Sequence, residues 1–374
     1  MSAALDALFI GLSITSSWGN GHATTYRALL RALAARGHRV RFLERDVPWY
    51  AANRDLPAPP YASTALYRSV DELRDRFGPA IRQADLVVVG SYVQEGVAVG
   101  RLVQELARGV TAFYDIDTPV TLAALERGDC AYLSAALVPG YDLYLSFTGG
   151  PALARLEGRL GAPRARALYC SADPELHRPS AAPPRYDLGY LGTYGADRQP
   201  ALDALLCEPA RRRPGLACVV AGAQYPPSIA WPANVARVEH LPPAEHAAFY
   251  ASQRFTLNVT RADMVRAGWS PSVRLFEAAA CGVPVISDPW PGLSSVFAPG
   301  RELLVAHGAA DVIEVLDTMP EEARRALGER ARRRVLAEHT AAHRAEALEG
   351  YVAEARAPGR RGRRAARGAT RTAT

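Results

Sequence analysis

Three polar residues, Ser270, Arg274 and Glu277, recur at spacings of four and three within one short segment. On a helix, this spacing places their side chains on one face. The free amides at the start of a helix and the positive end of its dipole favour a phosphate. A carboxylate about 10 Å further along, at ~1.5 Å per residue, could then hold sugar hydroxyls. The pattern predicts a nucleotide site, and the alternative is an i,i+3 surface pair of Arg274 and Glu277 worth a few tenths of a kcal/mol.

The elements that must position this face are a capped helix and a buried strand. Ser270 is a typical N-cap residue, and Pro271 suits the first helical position because it lacks the N–H that would be unsatisfied there. We expect the helix to run to about Cys281, where Gly282 can adopt the left-handed stop conformation. The residues that follow, VPVIS, are typical of a buried strand.

Residues 270–306, SPSVRLFEAAACGVPVISDPWPGLSSVFAPGRELLVA, resemble the donor-binding signature of GT-B glycosyltransferases, in particular the group related to family 4 and to the spore maturation protein CgeB. The resemblance spans most of residues 7–350. It implies an α/β GT-B fold, with two Rossmann-like, doubly wound domains facing each other across a cleft. It also implies transfer of a sugar from a nucleotide-diphosphate sugar without a metal ion.

The resemblance also assigns roles to residues of this helix. The carboxylate of Glu277 would hold the donor ribose and belong to the catalytic set, while Ser272 and Arg274 would lie near the diphosphate. The donor-binding set on the helix is Ser270, Ser272, Val273, Arg274 and Glu277. Family 4 enzymes usually carry a Glu-x7-Glu pair, but Trp269 stands where the first Glu belongs. The donor sugar therefore stays open, and a retaining outcome is an expectation.

The first half of the chain alternates predicted strands and helices, which is typical of a parallel sheet with helices on its faces. The loop after the first strand contains Gly19, Asn20, Gly21 and His22, and it lies where ligands bind in such sheets, beyond the carboxyl end of a strand. His22 is the candidate base for an acceptor hydroxyl, because histidine titrates near neutral pH. The alternative is an ordinary glycine-rich turn with a capping or packed histidine.

Two carboxylates, Asp115 and Asp117, lie in the segment FYDIDTPVT. Asp-x-Asp is the metal and diphosphate signature of a different glycosyltransferase fold, GT-A. Here the pair comes more than 150 residues before the donor signature, so chelation is the poorer account. Alternation along a strand predicts that both carboxylates point to the same side, with one at the strand end facing the cleft. The segment also resembles one that recurs in CgeB-like proteins, and Asp117 is assigned to the catalytic set through contact with the acceptor or donor sugar.

A further strand and a glycine-containing turn open the second half of the chain, at YDLGYLGTYGADRQP. Gly192, Thr193 and Tyr194 stand where a phosphate-binding loop would begin, and Arg198 could add a cation there. Similar enzymes place a diphosphate-contacting loop at this point. The alternative is a plain turn between a strand and a helix.

A second candidate loop in this half is EHLPP, at residues 239–243. In related enzymes a loop of this kind cradles the nucleoside base, which makes His240 and Leu241 donor-binding candidates. His246, a few residues further on, is predicted to lie on the surface of a helix.

Prolines crowd between ordered segments at residues 173–185, and this predicts a linker. We therefore expect an acceptor-side domain over residues 1–172 and a nucleotide-sugar-binding domain over residues 186–335. Residues 336–354 are predicted to form a helix that returns to the first domain. Residues 355–374 are predicted to form a disordered Arg-rich tail.

The formal charge of +6 comes from that tail. All 44 basic residues are arginine, and seven of them lie in residues 355–374, which leaves 37 basic against 38 acidic residues, a net charge of −1. No specific nucleic-acid partner is therefore predicted, although the tail could make weak contact with an anionic surface. The five scattered cysteines show no CxxC pair and no metal spacing, so neither a disulfide framework nor a zinc site is expected.

No run approaches the ~18 to 20 apolar residues of a membrane span, and the first residues lead directly into a strand, so we expect a cytoplasmic protein. The predicted partners are a nucleotide sugar and an acceptor glycan, protein or small molecule, with no bound cofactor and no metal. The alternatives are an inactive nucleotide or glycan binder, and a sugar-nucleotide epimerase or hydrolase. The base, the donor sugar, the acceptor and the oligomeric state do not follow from the sequence.

Overall fold

A computed structural model describes residues 4–357, and two parallel β-sheets organise them. The strands of the first sheet are β1 (Asp6–Gly11), β2 (Arg39–Arg45), β3 (Ser63–Tyr67), β4 (Leu86–Gly90), β5 (Val110–Asp115), β6 (Leu143–Ser146) and β7 (Ala165–Ala167). Their order is β3-β2-β1-β4-β5-β6-β7, and every pairing is parallel. β1, β4 and β5 are buried along their whole length, as strands with both faces covered must be.

The second sheet has six strands and the same parallel pairing. They are β8 (Tyr186–Leu191), β9 (Cys218–Ala221), β10 (Val235–Val238), β11 (Gln253–Asn258), β12 (Val285–Ser287) and β13 (Leu304–Val305). Their order is β10-β9-β8-β11-β12-β13. Each sheet reverses direction beside its first strand, which is the doubly wound pattern that the sequence predicted.

Helices connect the strands of both sheets. In the first half they are α1 (His22–Ala35), α2 (Pro48–Ala51), α3 (Val70–Gln83), α4 (Gly96–Leu106), α5 (Thr118–Arg127) and α6 (Pro151–Leu160). In the second half they are α7 (Gln199–Leu202), α8 (Glu208–Arg212), α9 (His246–Ala251), α10 (Ala262–Ala267), α11 (Val273–Ala280), α12 (Ala309–Thr318), α13 (Glu321–Glu338) and α14 (Ala341–Arg356). A π-helical turn joins α7 to α8, and short 3₁₀ turns lie at Ala135–Gly140, Pro243–Glu245 and Leu293–Ser295.

Hydrophobic cores cover both faces of the first sheet. Side chains alternate along a strand, so Phe9 of β1 enters one core while its neighbour Ile10 enters the other. The core that contains Phe9 continues into the second half of the molecule, where it includes Leu275 and Phe276 of α11. α11 is therefore fixed by packing against both halves.

The last helix lies against the first half of the chain. α14 packs on α1, and Glu349 of α14 accepts hydrogen bonds from Arg36 and lies 2.7 Å from Nε2 of His38. α14 ends at Arg356, two residues beyond the predicted helix end at 354, and the predicted boundary at 335 falls within α13. Residues 358–374, the greater part of the predicted tail, lie outside the described residues.

The carboxyl ends of the two sheets face each other and define a cleft. The loop after β1 contacts the loop after β10, and the turn after β5 contacts the segment after β11. We refer to the half that carries the first sheet as the first lobe and to the half that carries the second sheet as the second lobe. Within residues 4–357, no helix has the length and apolar character to cross a membrane.

Candidate active site

The signature helix α11 begins later than the sequence predicted. Ser272 has an extended backbone, with φ −80° and ψ 152°, so helical geometry starts only at Val273. The prediction that Ser270 caps this helix is therefore wrong. Its hydroxyl instead lies 2.9 Å from that of Thr148 in the first lobe, which makes Ser270 a contact between the lobes. The predicted helix end is confirmed, because Gly282 adopts a left-handed conformation with φ +73°.

Arg274 lies buried beneath the carboxyl end of the second sheet. Its Nε donates to the carbonyl oxygen of Leu191 at 2.6 Å, and its Nη1 donates to Oδ1 of Asn258 at 2.8 Å. The guanidinium also lies 4.5 Å from the ring centroid of Tyr190. Ser272 donates its hydroxyl to the same Asn258 oxygen at 2.7 Å. Arg274 is thus a positioned cation at the start of α11, where an anion would bind.

Glu277 is 1% exposed and lies one turn further along α11. Its Oε2 accepts a hydrogen bond from the Tyr250 hydroxyl at 3.0 Å and lies 3.3 Å from Nδ1 of His246. Burial alone would raise the pKa of this carboxyl, but the charges of His177 and His246 and the bonds from His246 and Tyr250 lower it to about 2. Glu277 is therefore ionised at neutral pH, and it forms no pair with Arg274, so the surface-pair alternative is wrong.

Two histidines flank this carboxylate, and the sequence analysis placed neither of them there. His246, predicted on a helix surface, is the first residue of α9 and contacts Glu277, because α9 packs on α11. Burial is the largest single influence on the pKa of His246 and lowers it, but the charge of Glu277, the hydrogen bonds with Glu277 and Leu241 and the charge of Glu245 together outweigh burial, so the net shift is upward. His177, from the segment before β8, is buried with its Nε2 3.6 Å from Oε1 of Glu277. Ligand atoms of the three residues lie within 4.8 Å of one another, so the group could hold a metal ion.

The turn after β8 brings its backbone close to Arg274. A Cβ on Gly222, which has φ +146°, would lie 2.0 Å from the carbonyl oxygen of Gly192, and a Cβ on Gly192 would lie 2.9 Å from Nη2 of Arg274. Gly222 must be glycine because its backbone is left-handed and meets the backbone of Gly192, whereas a Cβ on Gly192 would press on the side-chain ends of Tyr190 and Arg274. Arg198 donates from Nη2 to the carbonyl oxygen of Thr193. The predicted phosphate-loop residues and Arg274 are thus brought together.

The loop after β10 faces the first lobe through aromatic contacts. The ring of His240 lies 4.7 Å from that of Trp18, which is 44% exposed and comes from the loop after β1. Leu241 is half-buried against the core that contains α11. On the other side, the ring of Tyr194 packs against Tyr225 with centroids 5.6 Å apart. These contacts line the two ends of the second lobe's cleft face.

The glycine-rich loop after β1 is fixed by its asparagine. The buried side-chain amide of Asn20 donates to the carbonyl oxygens of Ser13 at 3.0 Å and Ser16 at 3.3 Å. Gly19 takes a left-handed conformation with φ +58°, and Gly21 immediately precedes α1. The Asn20 amide therefore fixes the conformation of the loop. His22 is the titratable residue of the four predicted loop residues.

His22 lies beside Asp117, with Nε2 and Oδ2 4.0 Å apart. Its Nδ1 is buried and has no hydrogen-bond partner among the described residues. Burial lowers the pKa of His22, and Asp117 partly opposes that shift. Asp117 also accepts a hydrogen bond from the Tyr92 hydroxyl at 3.0 Å and lies 3.8 Å from Nη1 of Arg261 in the second lobe. Arg261, which the sequence analysis missed, thus links the predicted acceptor-side residues to the second lobe.

The two carboxylates of FYDIDTPVT occupy different environments, contrary to the prediction that they share a side. β5 ends at Asp115, and Asp117 lies in the turn that begins α5, so strand alternation does not apply to the pair. Asp115 is 0% exposed and accepts hydrogen bonds from the hydroxyls of Tyr144 at 2.5 Å and Thr121 at 2.7 Å. Asp117 alone faces the cleft.

Trp269 occupies the position where family 4 enzymes carry the first Glu. Its φ is +46°, a left-handed conformation that is uncommon for a bulky residue. Its indole packs so closely on two glycines that a Cβ on Gly150 or Gly292 would lie 2.5 or 2.6 Å from it. Its carbonyl oxygen accepts a hydrogen bond from the amide of Gly149 in the first lobe at 2.9 Å. Trp269 therefore joins the two lobes at the floor of the cleft.

Solved structures with the same architecture define the class of fold. Sucrose-phosphate synthase from Thermosynechococcus elongatus is 16% identical, with 93% of this chain and 98% of that chain covered and a TM-score of 0.66. Anabaena HepE in complex with UDP and glucose is 11% identical, with 94% and 100% covered and a TM-score of 0.69. Starch synthase IV from Arabidopsis thaliana bound to ADP and acarbose is 11% identical, with 94% and 99% covered and a TM-score of 0.63. The chain has the GT-B fold, as the sequence predicted.

A family model matches part of the chain, mostly in the second lobe. Residues 198–350 match the family described as glycosyl transferase-like. The matched residues include α9 and α11, and hence His246, Arg274 and Glu277. A search of curated protein sequences found no match. Residues 198–350, which include most of the second lobe, are thus similar to glycosyl transferase-like domains.

Proposed function

We propose that this protein is a glycosyltransferase that moves a sugar from a nucleotide-diphosphate sugar to an acceptor. The observation that carries the proposal is Glu277, a buried and ionised carboxylate whose Oε1 accepts no hydrogen bond within the described part of the chain. A buried acceptor without a hydrogen bond costs about 1–3 kcal/mol. We therefore expect a ligand to donate hydroxyl hydrogen bonds to this oxygen. A ribose diol would supply them. Arg274 and the first amides of α11 lie on the side where the diphosphate of the same nucleotide would follow.

The chemistry would depend mainly on the leaving group. Cleavage of the sugar–phosphate bond places negative charge on the departing diphosphate, and preorganised amides and cations stabilise such charge best where water is excluded. Arg274 is already held by Leu191 and Asn258, so little reorganisation would be needed at the moment of reaction. Arg198 and the glycine turn after β8 would contact the same phosphates. These residues would act without a catalytic metal.

The first lobe would present the acceptor. His22 has an unpartnered ring nitrogen and a pKa lowered by burial, so at neutral pH it can accept a proton from an acceptor hydroxyl. Asp117 would orient that ring and stabilise its charge after the transfer. If His22 is the base, His22→Ala should lower the turnover rate by about 10²- to 10⁴-fold at neutral pH while nucleotide affinity stays unchanged. Turnover at nearly the wild-type rate would remove His22 from the catalytic set.

The nucleobase of the sugar donor is not determined, but proteins of similar fold suggest candidates. HepE was solved with UDP and glucose and starch synthase IV with ADP and acarbose, so uridine and adenosine donors are the first to test. The loop with His240 and Leu241 would contact the base. A retaining outcome, membership of the CgeB-like group and a cytoplasmic location are further expectations of this proposal.

One observation favours a second candidate, a protein that binds a nucleotide sugar without turnover. Trp269 replaces the carboxylate that would contact the donor sugar, and its indole and backbone hold the lobes together at that place. Such a binder would keep Glu277 and Arg274 but lack sugar positioning. An epimerase or hydrolase would differ from both candidates by turning over donor without an acceptor.

The test is release of nucleoside diphosphate from a panel of nucleotide sugars, with and without acceptors and in the presence of a chelator. The proposal predicts acceptor-dependent release by the wild type and its loss in Glu277→Gln. Glu329→Gln, which alters an exposed carboxylate on α13, is the matched control and should behave as wild type. Release without acceptor would favour the hydrolase or epimerase. Saturable binding without release over the whole panel would favour the binder and contradict the transferase.

A further inference from the structure

Two buried acceptor atoms face each other next to α11. Nδ1 of His177 lies 3.2 Å from the backbone carbonyl oxygen of Asp173, and a carbonyl can only accept, so the proton sits on Nδ1 in the neutral ring. In this neutral form Nε2 is an acceptor, whereas in the protonated form it carries a proton toward Glu277 and forms an ion pair with it. Nε2 lies 3.6 Å from Oε1 of Glu277, a second acceptor, and neither atom has a hydrogen-bond partner among residues 4–357. The residues are 3% and 1% exposed, so with a neutral His177 two acceptor atoms face each other away from solvent, and a bound cation would satisfy both.

A third candidate ligand completes the group. His246, at the start of α9, places Nδ1 3.3 Å from the other oxygen of Glu277. In a tetrahedral site with metal–ligand distances near 2.1 Å, the ligand atoms lie about 3.4 Å apart. His246 lies 3.3 Å from Oε2 and His177 lies 3.6 Å from Oε1, so each imidazole is near that spacing from one oxygen of the carboxylate. Ligand atoms taken one from each of the three residues lie within 4.8 Å of one another. We propose that His177, His246 and Glu277 bind one zinc ion, or a similar first-row transition-metal ion.

The donor set determines which cation fits. Two imidazoles and one carboxylate are ligands of zinc, whereas magnesium and calcium prefer oxygen atoms alone. The carbonyl bonded to Nδ1 of His177 is the type of outer-shell partner that fixes the tautomer of a metal-ligating histidine. Tyr250 plays the corresponding part for Glu277, because its hydroxyl donates to Oε2. Three protein ligands leave a fourth position for water, on the side where the His246 side chain is 14% exposed.

Such an ion would act at a place different from the diphosphate. Arg274, the cation proposed for the phosphates, is hydrogen-bonded to Leu191 and Asn258 rather than to this group. A metal on Glu277 and a ribose on Glu277 would use the same Oε1, so the two ligands would exclude each other. The competition between metal and ribose rests on the proposed function. The metal site does not, because metal binding is measured in the absence of nucleotide.

Equilibrium dialysis of the full chain against zinc chloride, with the bound metal counted by mass spectrometry, tests the site. We expect one zinc per chain, and a loss of affinity of at least about tenfold in His177→Ala and in His246→Ala, since even outer-shell changes cost 10–100-fold. His307→Ala removes an exposed histidine elsewhere and is the matched control, which should bind as wild type. No binding by the wild type, or equal binding by all three variants, would overturn the proposal.

Two further measurements keep the test decisive. If His177→Ala fails to fold by circular dichroism, His246→Ala, which alters a partly exposed side chain, carries the comparison alone. Cobalt substitution separates this site from the cysteines: we expect a tetrahedral visible spectrum without the thiolate charge-transfer band. A thiolate band, or a cobalt spectrum unchanged by His246→Ala, would place the ion elsewhere and refute the assignment.

Discussion

Asp115 and Glu277 are both buried carboxylates at the carboxyl edge of a parallel sheet, one in each lobe, yet their environments differ. Asp115 is surrounded by hydroxyls and a backbone amide, and its two oxygens both accept hydrogen bonds. Burial raises its pKa to about 6, and the hydrogen bonds only partly offset that rise. Glu277 is surrounded by two histidines and a tyrosine, its pKa is lowered to about 2, and its Oε1 accepts no hydrogen bond from the described residues.

The difference separates a carboxylate that supports the fold from one that is prepared for a ligand. In the core of the first lobe, neutral hydroxyls donate hydrogen bonds to both oxygens of Asp115. Its oxygens therefore do not require hydrogen bonds from a substrate. The positive charge that His177 and His246 can carry and the hydrogen bonds from His246 and Tyr250 lower the pKa of Glu277 despite burial, and its Oε1 accepts no hydrogen bond within residues 4–357. Burial alone therefore does not mark a candidate site residue, whereas burial with retained charge and an unmet acceptor does.

The largest expected effect comes from removing the Glu277 charge. A shift from 4.5 to about 2 corresponds to about 3 kcal/mol of stability, present above the unfolded pKa and lost as the pH falls toward 2. Glu277→Gln should therefore lower the free energy of unfolding by about 3 kcal/mol at pH 7 and by clearly less at pH 3.5. Urea unfolding in chelator measures both values. A loss that does not depend on pH would show that the carboxylate is not held charged.

For Asp115 we expect a slightly smaller change of stability with pH, and in the opposite direction. Its folded pKa is raised, so the wild type should lose stability as the pH rises from about 4 to 6, by up to about 3 kcal/mol. Asp115→Asn removes this titration, and its stability relative to the wild type should rise over the same interval. Urea unfolding at pH 4, 5, 6 and 7 checks the difference. A constant difference over that range would contradict the assigned environment.

The smallest effects come from the two tyrosines that donate to these carboxylates, Tyr250 to Glu277 and Tyr144 to Asp115. Tyr250→Phe removes a bond to a charged group and should cost about 1.5–3 kcal/mol at both pH 5 and pH 7. Tyr144→Phe should cost about 1 kcal/mol at pH 5, where Asp115 is protonated, and more at pH 7. Urea unfolding of the matched pair at the two pH values distinguishes them. Identical pH dependence would remove the contrast between the carboxylates.

Much of the fold follows from local sequence signals. Periodic apolar runs such as LVVVG and RVRFLER predict the strands, and Gly282 predicts the end of α11, because these features depend on a few adjacent residues. The start of α11 was misplaced because Ser270 has the right chemistry for a cap but is bonded across the cleft to Thr148. Tertiary contact overrode a correct local preference.

The surroundings of Glu277 could not be predicted in the same way. His177, His246 and Tyr250 come from two segments far from α11 in the chain, so no spacing in the sequence joins them to it. The same holds for Arg261, which reaches Asp117 only because the lobes face each other. The helix pattern and the family resemblance predict Glu277 as the donor-binding carboxylate, while the groups that set its charge depend on packing and have no signal in the sequence.

The most direct measurement is a thermal-shift titration of the wild type, Glu277→Gln and Glu329→Gln with uridine, adenosine, guanosine, cytidine and thymidine diphosphates in chelator. A ligand at a hundred times its dissociation constant adds about 2.7 kcal/mol of apparent stability. If Glu277 holds the donor, at least one nucleotide should stabilise the wild type and Glu329→Gln but not Glu277→Gln. Absence of any shift at saturating nucleotide, or an equal shift in Glu277→Gln, would contradict the claim that this carboxylate holds the donor.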